Sequence, residues 1–380
     1  MSIVIIGTGM AGYNLAREIR KSDAEVPLVL VTADSGEAYP KPALSNALIQ
    51  GKQPDQIVSA DAATMAERLN AVIHTHTRVL SIDSANRQLV TNQGNIPYGR
   101  LVLATGARPI RLPFKGDGAD AILSVNDLEE YRFFRARVER AKRVAIIGPG
   151  LIGCEFANDL IVSGRKVEVI GPDPYPISTL LPETAGRALQ AGLAEVGVRW
   201  HLGTVVEEIS RTSDGLQLRL ADGSTVTADV VLSAIGLKPD LTLATAMGLE
   251  TNRGIVTDRQ LQTSLPGVYA LGDCLEVAGL NLPFVMPLMN AARALAKTLT
   301  GAETPLTYPA MPVSIKTPAH PIVVSPPARG AAGDWEIEQN DTGVRALFRS
   351  SQGELLGFTL TGSYVDEKGQ LTRQVPPVLA

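Results

Sequence analysis

The sequence predicts an α/β chain in which two similar parallel-sheet units precede a smaller α+β tail. Its 380 residues exceed the roughly 250–300 at which one hydrophobic core stops growing, so two or three domains are expected. An apolar strand, a G-x-G-x-x-G turn and a helix pattern occur twice, at Ser2–Gly12 and at Arg143–Gly153. Three strand-rich segments, Pro321–Val324, Trp335–Glu338 and Leu355–Leu360, then mark a small sheet near the C-terminus.

Composition narrows the function classes. The net charge is −4 and no long Lys/Arg run occurs, so there is no electrostatic footprint for nucleic acid. The two cysteines, Cys154 and Cys274, form no C-x-x-C pair, which argues against a redox dithiol and against a zinc site, and both read as small buried hydrophobes. No metal site is expected. The apolar run Ile3–Ile6 is too short for a signal-peptide core, and no stretch reaches about 18 apolar residues, so the expected location is the cytoplasm.

In the first unit Gly7 allows the tight turn, Gly9 lets backbone approach a pyrophosphate, and Gly12 lets helix and strand pack closely. Met10 and Ala11 open the helix, whose N–H groups and dipole favour an anion. A second strand, Leu28–Thr32, leads to Asp34, which lies 22 residues beyond Gly12, where an acid meets the ribose hydroxyls of an adenosine. The unit closes on a strand running into Ala104, Thr105 and Gly106, small residues that let the chain pass beneath a cofactor. These features read as a Rossmann-like dinucleotide-binding unit.

The second unit repeats the plan with Gly148, Gly150 and Gly153, with Leu151 and Ile152 at the helix start, and closes on Val230–Gly236. After its strand Lys166–Ile170 the position that would hold the ribose acid holds Gly171, for which Asp173 is the nearest substitute. No Arg or Lys follows as far as Leu181 to receive a 2′-phosphate, which favours NADH over NADPH. Glu155, two residues after Gly153, falls in the first helical turn on this reading, and the helix dipole is a sufficient reason for a carboxylate there.

The stretch Thr263–Asp273 resembles the second FAD fingerprint of the pyridine nucleotide-disulfide oxidoreductase superfamily, and with the two units the resemblance spans nearly all of residues 1–300. It implies a glutathione-reductase-like fold, with an FAD domain from 1–108 and 236–307, an inserted NAD domain at 109–235 and an interface domain at 308–380. Asp273 would then bond the ribityl chain of FAD, and Gly236 would border the NAD site. Ala38–Asn46 resembles the Pro-Tyr-x-Arg-Pro-x-Leu-Ser-Lys segment of the single-electron-transferring branch, which puts Lys41 and Pro42 at the FAD. Asn46 stands where ferredoxin reductases carry Lys and peroxide- or disulfide-reducing relatives carry Cys, so cysteine chemistry at the flavin is disfavoured. Pro309-Ala310-Met311-Pro312 and Lys316-Thr317-Pro318 are similar to the rubredoxin and flavorubredoxin reductases. By that resemblance Lys316 lies at the isoalloxazine ring, Glu155 engages the nicotinamide near the flavin, and the backbone at Val79 and Val285 touches the adenine and the flavin pyrimidine.

The activity implied is hydride transfer from NADH to FAD, followed by release of single electrons to rubredoxin or a rubredoxin-like iron protein. The protein's part would be to fix ring stacking and to set positive charge where reduced flavin becomes negative. Flavorubredoxin and ferredoxin are alternative acceptors, oxygen and quinones weaker ones, and a nicotinamide sensor with structural FAD belongs to a different class. Rubredoxin-type partners could feed alkane hydroxylation, oxidative-stress defence or nitric oxide reduction.

Overall fold

The computed structural model describes residues 2–380. The first unit is a five-stranded parallel sheet in the order Val268–Ala270, Arg100–Leu103, Ile3–Ile6, Leu28–Val31, Val72–His74. The second is a four-stranded parallel sheet in the order Arg199–Leu202, Lys166–Gly171, Arg143–Ile147, Val230–Ser233. In each, the strand that enters the glycine-rich turn lies inside the sheet, and its apolar run suits burial on both faces: Ile3, Val4 and Ile5 are fully enclosed. Each unit also carries a three-stranded antiparallel meander, at residues 79–97 and 206–228, so the repeat extends beyond the fingerprints.

The chain passes between the units twice, and the two passages pair as antiparallel strands, Ala107–Pro109 with Leu237–Pro239. The tail is a five-stranded antiparallel sheet in the order Val313–Ile315, Ile322–Ser325, Leu355–Thr361, Gly343–Arg349, Asp334–Asn340. Two of these strands, Val313–Ile315 and Gly343–Arg349, are additional to the three segments expected. In Gly343–Arg349 the outward Arg345 and Arg349 break the apolar run, and they are neutralised across the sheet surface by Glu367 and Glu336 at 2.8 and 2.9 Å.

The core around the second sheet is shared by distant parts of the chain. Leu44, Ala47 and Ile57 from the first unit pack with Leu128, Tyr131 and Phe134, and with Ile315, Ile322, Val324, Val344 and Ala346 from the tail. Segment 44–57 is therefore anchored on the second unit rather than on the sheet from which it emerges. Among the described residues no helix is long and apolar enough to cross a membrane.

The fingerprint glycines have separable roles. A Cβ at Gly12 would overlap the carbonyl oxygen of Gly7, and one at Gly153 that of Gly148. Gly12→Ala and Gly153→Ala are each expected to lower stability by roughly 1–3 kcal/mol or more, since backbone cannot give way as a flexible side chain does. Denaturant unfolding of the two variants checks this; an unshifted midpoint would show that the turn has room to relax.

Candidate functional site

The two fingerprint turns have the same local construction. Gly7 and Gly148 adopt φ of +111° and +112°, and a Cβ on either would collide with the carbonyl of Ala104 or Ala234 at the end of the neighbouring strand. Gly9 and Gly150 differ: their φ values of −64° and −74° suit any residue, and a Cβ there would meet nothing within 4 Å. Neither the fold nor the backbone conformation requires glycine at these two positions. A ligand passing against the backbone would, and each turn fits a dinucleotide pyrophosphate on that ground. Helices Met10–Ser22 and Leu151–Val162 begin at these glycines with no side-chain cap and no acid in the first turn, leaving Met10, Ala11, Leu151 and Ile152 with N–H groups free to meet an anion.

Around the first turn the remaining groups suit an extended FAD. Asp34 is exposed and takes Thr32 Oγ1 and Gly36 N at 2.7 and 2.9 Å on a single oxygen, Oδ1. Thr105 donates to the Asp240 carbonyl at 2.8 Å, and Gly106 needs glycine for its φ of +68°. Val79 opens a meander strand and is half-buried. Val285 is exposed at the start of helix Val285–Leu299, whose N-cap makes no side-chain bond. Gly236 is likewise exposed, with φ +112°, and its carbonyl accepts Ile110 N at 3.0 Å.

Lys41 begins a 3-10 turn, Lys41–Ser45, with Pro42 fixing φ at its second position. Its ammonium donates to Asn126 Oδ1 at 2.7 Å, and Asn126 is oriented by its own donation to the Ala107 carbonyl at 2.9 Å. Burial pulls the Lys41 pKa below its usual value, while the charges of Asp273, Asp127 and Glu130 push it back up. Lys41 and Asp273 thus share one electrostatic neighbourhood, as two groups along one flavin chain require.

Glu155 stands elsewhere than expected. It is the fifth residue of its helix, in the second turn, so the free N–H groups of the helix start are out of its reach and the dipole does not account for it. Instead it is 1% exposed and takes Ser45 Oγ at 2.5 Å, Lys316 N at 3.0 Å and the Lys316 ammonium in an ion pair. Lys316 is positioned because it directly follows the strand Val313–Ile315 and sits in a tight turn, with Thr317 N on the Ile315 carbonyl and His320 N on that of Thr317 at 2.9 and 2.8 Å. One side chain from each of the three parts of the chain meets here. Asn46, next to Ser45, buries an Oδ1 with no partner, an acceptor that suits a donor on a bound group.

Ser45, Asn126, Asn158 and Asp159 went unassigned at the sequence level. Asn158 and Asp159 follow Glu155 at helical spacings of three and four in an otherwise apolar helix, a pattern that signals a buried polar face. Gly171 is explained by packing, because a Cβ there would strike the Pro149 ring. Asp173, which was expected to substitute for the ribose acid, takes the Ser178 hydroxyl. Cys154 and Cys274 are fully buried, and burial pushes both thiols above their usual range. Among the described residues there is no group of three or more potential metal ligands.

A family model for pyridine nucleotide-disulphide oxidoreductases matches residues 1–296, and one for the rubredoxin binding C-terminal domain matches 305–375. The rubredoxin-NAD(+) reductase of Alcanivorax borkumensis is 48% identical over 99% of both chains. The nitric oxide reductase FlRd-NAD(+) reductase of Aeromonas salmonicida is 40% identical over 98% of this chain and 96% of its own. Among solved structures, a ferredoxin reductase from Rhodopseudomonas palustris superposes with a TM-score of 0.89 at 26% identity, covering 99% of this chain and 95% of that one. The NADH:rubredoxin oxidoreductase of Clostridium acetobutylicum shares the fold, with a TM-score of 0.81 at 19% identity and the same coverage.

Two outcomes follow from the geometry. Gly9→Ala is expected to shift the stability of the FAD-free chain by no more than roughly 1 kcal/mol, yet to weaken FAD binding at least about tenfold, or roughly 1.4 kcal/mol; equal affinity by fluorescence titration would remove the turn from the site. Lys316→Met, which strands the buried Glu155 carboxylate, is expected to cost about 3–5 kcal/mol in denaturant unfolding, and Glu155→Gln in the same chain to recover most of it. No recovery would mean that Lys316 acts through packing alone.

Proposed function

This chain belongs to the pyridine nucleotide-disulphide oxidoreductase family, and from that premise we propose that it is an FAD-dependent NADH:rubredoxin oxidoreductase working in the cytoplasm. Bound FAD supplies the chemistry, taking a hydride from NADH and passing its electrons one at a time to the rubredoxin iron. The residues of this chain bind, orient and compensate charge.

One observation carries the reading: Glu155, on the helix that opens at Gly150, holds Ser45 of the FAD-side segment and Lys316 of the rubredoxin-binding tail in a single buried contact. Gly148, Gly150, Leu151, Ile152 and Gly153 cradle the NADH pyrophosphate, with Gly236 at its border. Gly7, Gly9, Met10, Ala11 and Gly12 do the same for FAD, whose adenosine meets Asp34 and Val79. Lys41, Pro42 and Asp273 line its middle, Ala104, Thr105 and Gly106 pass beneath it, and Val285 and Lys316 border its ring. Glu155 receives the nicotinamide, and the Lys316 ammonium balances negative charge that grows on the reduced ring. We assign 1–108 with 236–307 to FAD, 109–235 to NADH and 308–380 to the interface.

Flavorubredoxin is the second acceptor to consider, because relatives at 40% identity carry that name. The test is anaerobic turnover of the FAD-loaded chain with NADH and a panel of rubredoxin, flavorubredoxin and ferredoxin. Rubredoxin is expected to give the highest kcat/KM, and NADPH to fall at least about tenfold below NADH, since residues 171–181 after the second strand of the unit hold no Arg or Lys for its phosphate. A double Cys154→Ala, Cys274→Ala variant is expected to keep turnover within about twofold. Rubredoxin slower than flavorubredoxin would move the assignment to the second reading, and no bleaching by NADH would leave only a sensor.

A further inference from the structure

The helix Leu151–Val162 carries more buried polarity than its contact with the nicotinamide needs. Glu155, Asn158 and Asp159 recur at the spacing that brings side chains to one helix face, and each is 1% exposed or less. Asn158 Oδ1 accepts Ala319 N at 3.0 Å, three residues past Lys316. Asp159 takes Leu48 N at 3.2 Å on Oδ2 and Ile49 N at 2.7 Å on Oδ1.

Those two N–H groups open a turn that is closed by Gly51 N on the Leu48 carbonyl and Lys52 N on the Ala47 carbonyl, both at 2.9 Å. Its far end is held as well: the Lys52 carbonyl accepts Arg135 Nη1 at 2.9 Å, and the same nitrogen donates to Tyr131 Oη at 3.0 Å. An anion meets the N–H end and a cation the C=O end of one turn, the polarity that aligned peptide dipoles favour. Both charges come from the second unit, whereas the turn belongs to the first and directly follows Lys41–Asn46.

We propose that Asp159 and Arg135 clamp the turn at residues 47–52 and thereby fix the flavin-side segment Lys41–Asn46 against the helix that receives the nicotinamide, which makes Asp159 a positioning residue for hydride transfer. The inference rests on the function proposed above. Neither residue touches the reacting atoms. Their effect is exerted through distance and angle, and a misplacement of about 1 Å is enough to slow such a step by about a hundredfold.

The clamp carries a pH dependence. Burial pushes the Asp159 carboxyl up to about 6, against the lowering pull of Ile49 and Leu48 N–H and of the Arg135 and Arg165 charges. The facing groups are Arg135 and Tyr131 from helix Leu128–Val138, Arg165 beyond the end of its own helix, and Glu155 one turn earlier, which is paired with Lys316. The folded pKa lies above the ordinary carboxylate value, so the doubly accepting anion prevails above about 6 and is lost as pH falls through it.

The experiment is anaerobic stopped-flow reduction of the FAD-loaded full chain by NADH, comparing wild type with Asp159→Asn, which keeps the shape but turns an amide donor toward one of the two N–H groups. At pH 7.5 the limiting rate of flavin bleaching is expected to fall about tenfold or more. The NADH dissociation constant, and reoxidation by ferricyanide, which needs no nicotinamide, should stay within about twofold. The wild-type limiting rate should drop below about pH 6, a limb that the variant lacks. Arg135→Gln, which loosens the other end of the turn, is expected to act in the same direction, and it decides the matter if Asp159→Asn does not fold. An unchanged limiting rate in a folded, FAD-loaded variant overturns the clamp, as does equal loss in both half-reactions. A wild type that NADH does not bleach brings down the proposed function first, and the clamp with it.

Discussion

The buried carboxylate of Glu155 takes donors from two remote segments at once: a hydroxyl from Ser45, and a backbone N–H and an ammonium from Lys316. Charge withdrawn from water is tolerated only where fixed partners replace the solvent, so these segments have to arrive together for the cluster to be stable. Removing one partner leaves a buried charge uncompensated, which ties the arrangement of three separate sheets to one contact of a few atoms. The same contact lies on the helix that opens at Gly150, so the group that joins the parts also borders the candidate site.

The remainder of the site is one local solution used twice. In each unit a glycine with positive φ turns the chain beneath the carbonyl of a small residue on the adjacent strand, and another lets the helix close over that turn. The middle glycine has no such duty in either unit, and that asymmetry points to a ligand more directly than the motif does. With both middle glycines open and both helix starts uncapped, two anionic stretches can be received on neighbouring sheets.

The path of residues 38–58 links these two sites. The segment leaves the first sheet and packs Leu44, Ala47 and Ile57 into the core beneath the second, where it is pinned at Tyr39 by Leu128 N, at Lys41 by Asn126, at Ser45 by Glu155 and at Leu48 and Ile49 by Asp159. The strip proposed to contact the flavin is thereby held by the second unit. Both cysteines are buried and form no disulfide.

The sequence by itself determined the two parallel-sheet units and the packing roles of Gly7, Gly12, Gly148 and Gly153, because strand periodicity and glycine spacing are local and survive without knowledge of what packs where, while the family came from the resemblance of Thr263–Asp273 to an FAD fingerprint. It also singled out Lys316 and Glu155, though it set Glu155 in the first helical turn, within reach of the dipole, where the structure sets it in the second. Only the tertiary structure decided that these two pair with each other, that Gly171 is glycine because the Pro149 ring fills the space, that Asp173 is engaged by Ser178, and that Asn158 and Asp159 reach segments about 160 and 110 residues away respectively. A hydrogen bond between residues so far apart in the chain leaves no periodic trace along it; what selects the partners is the desolvation of a buried polar atom, and that arises only once the sheets have closed around it.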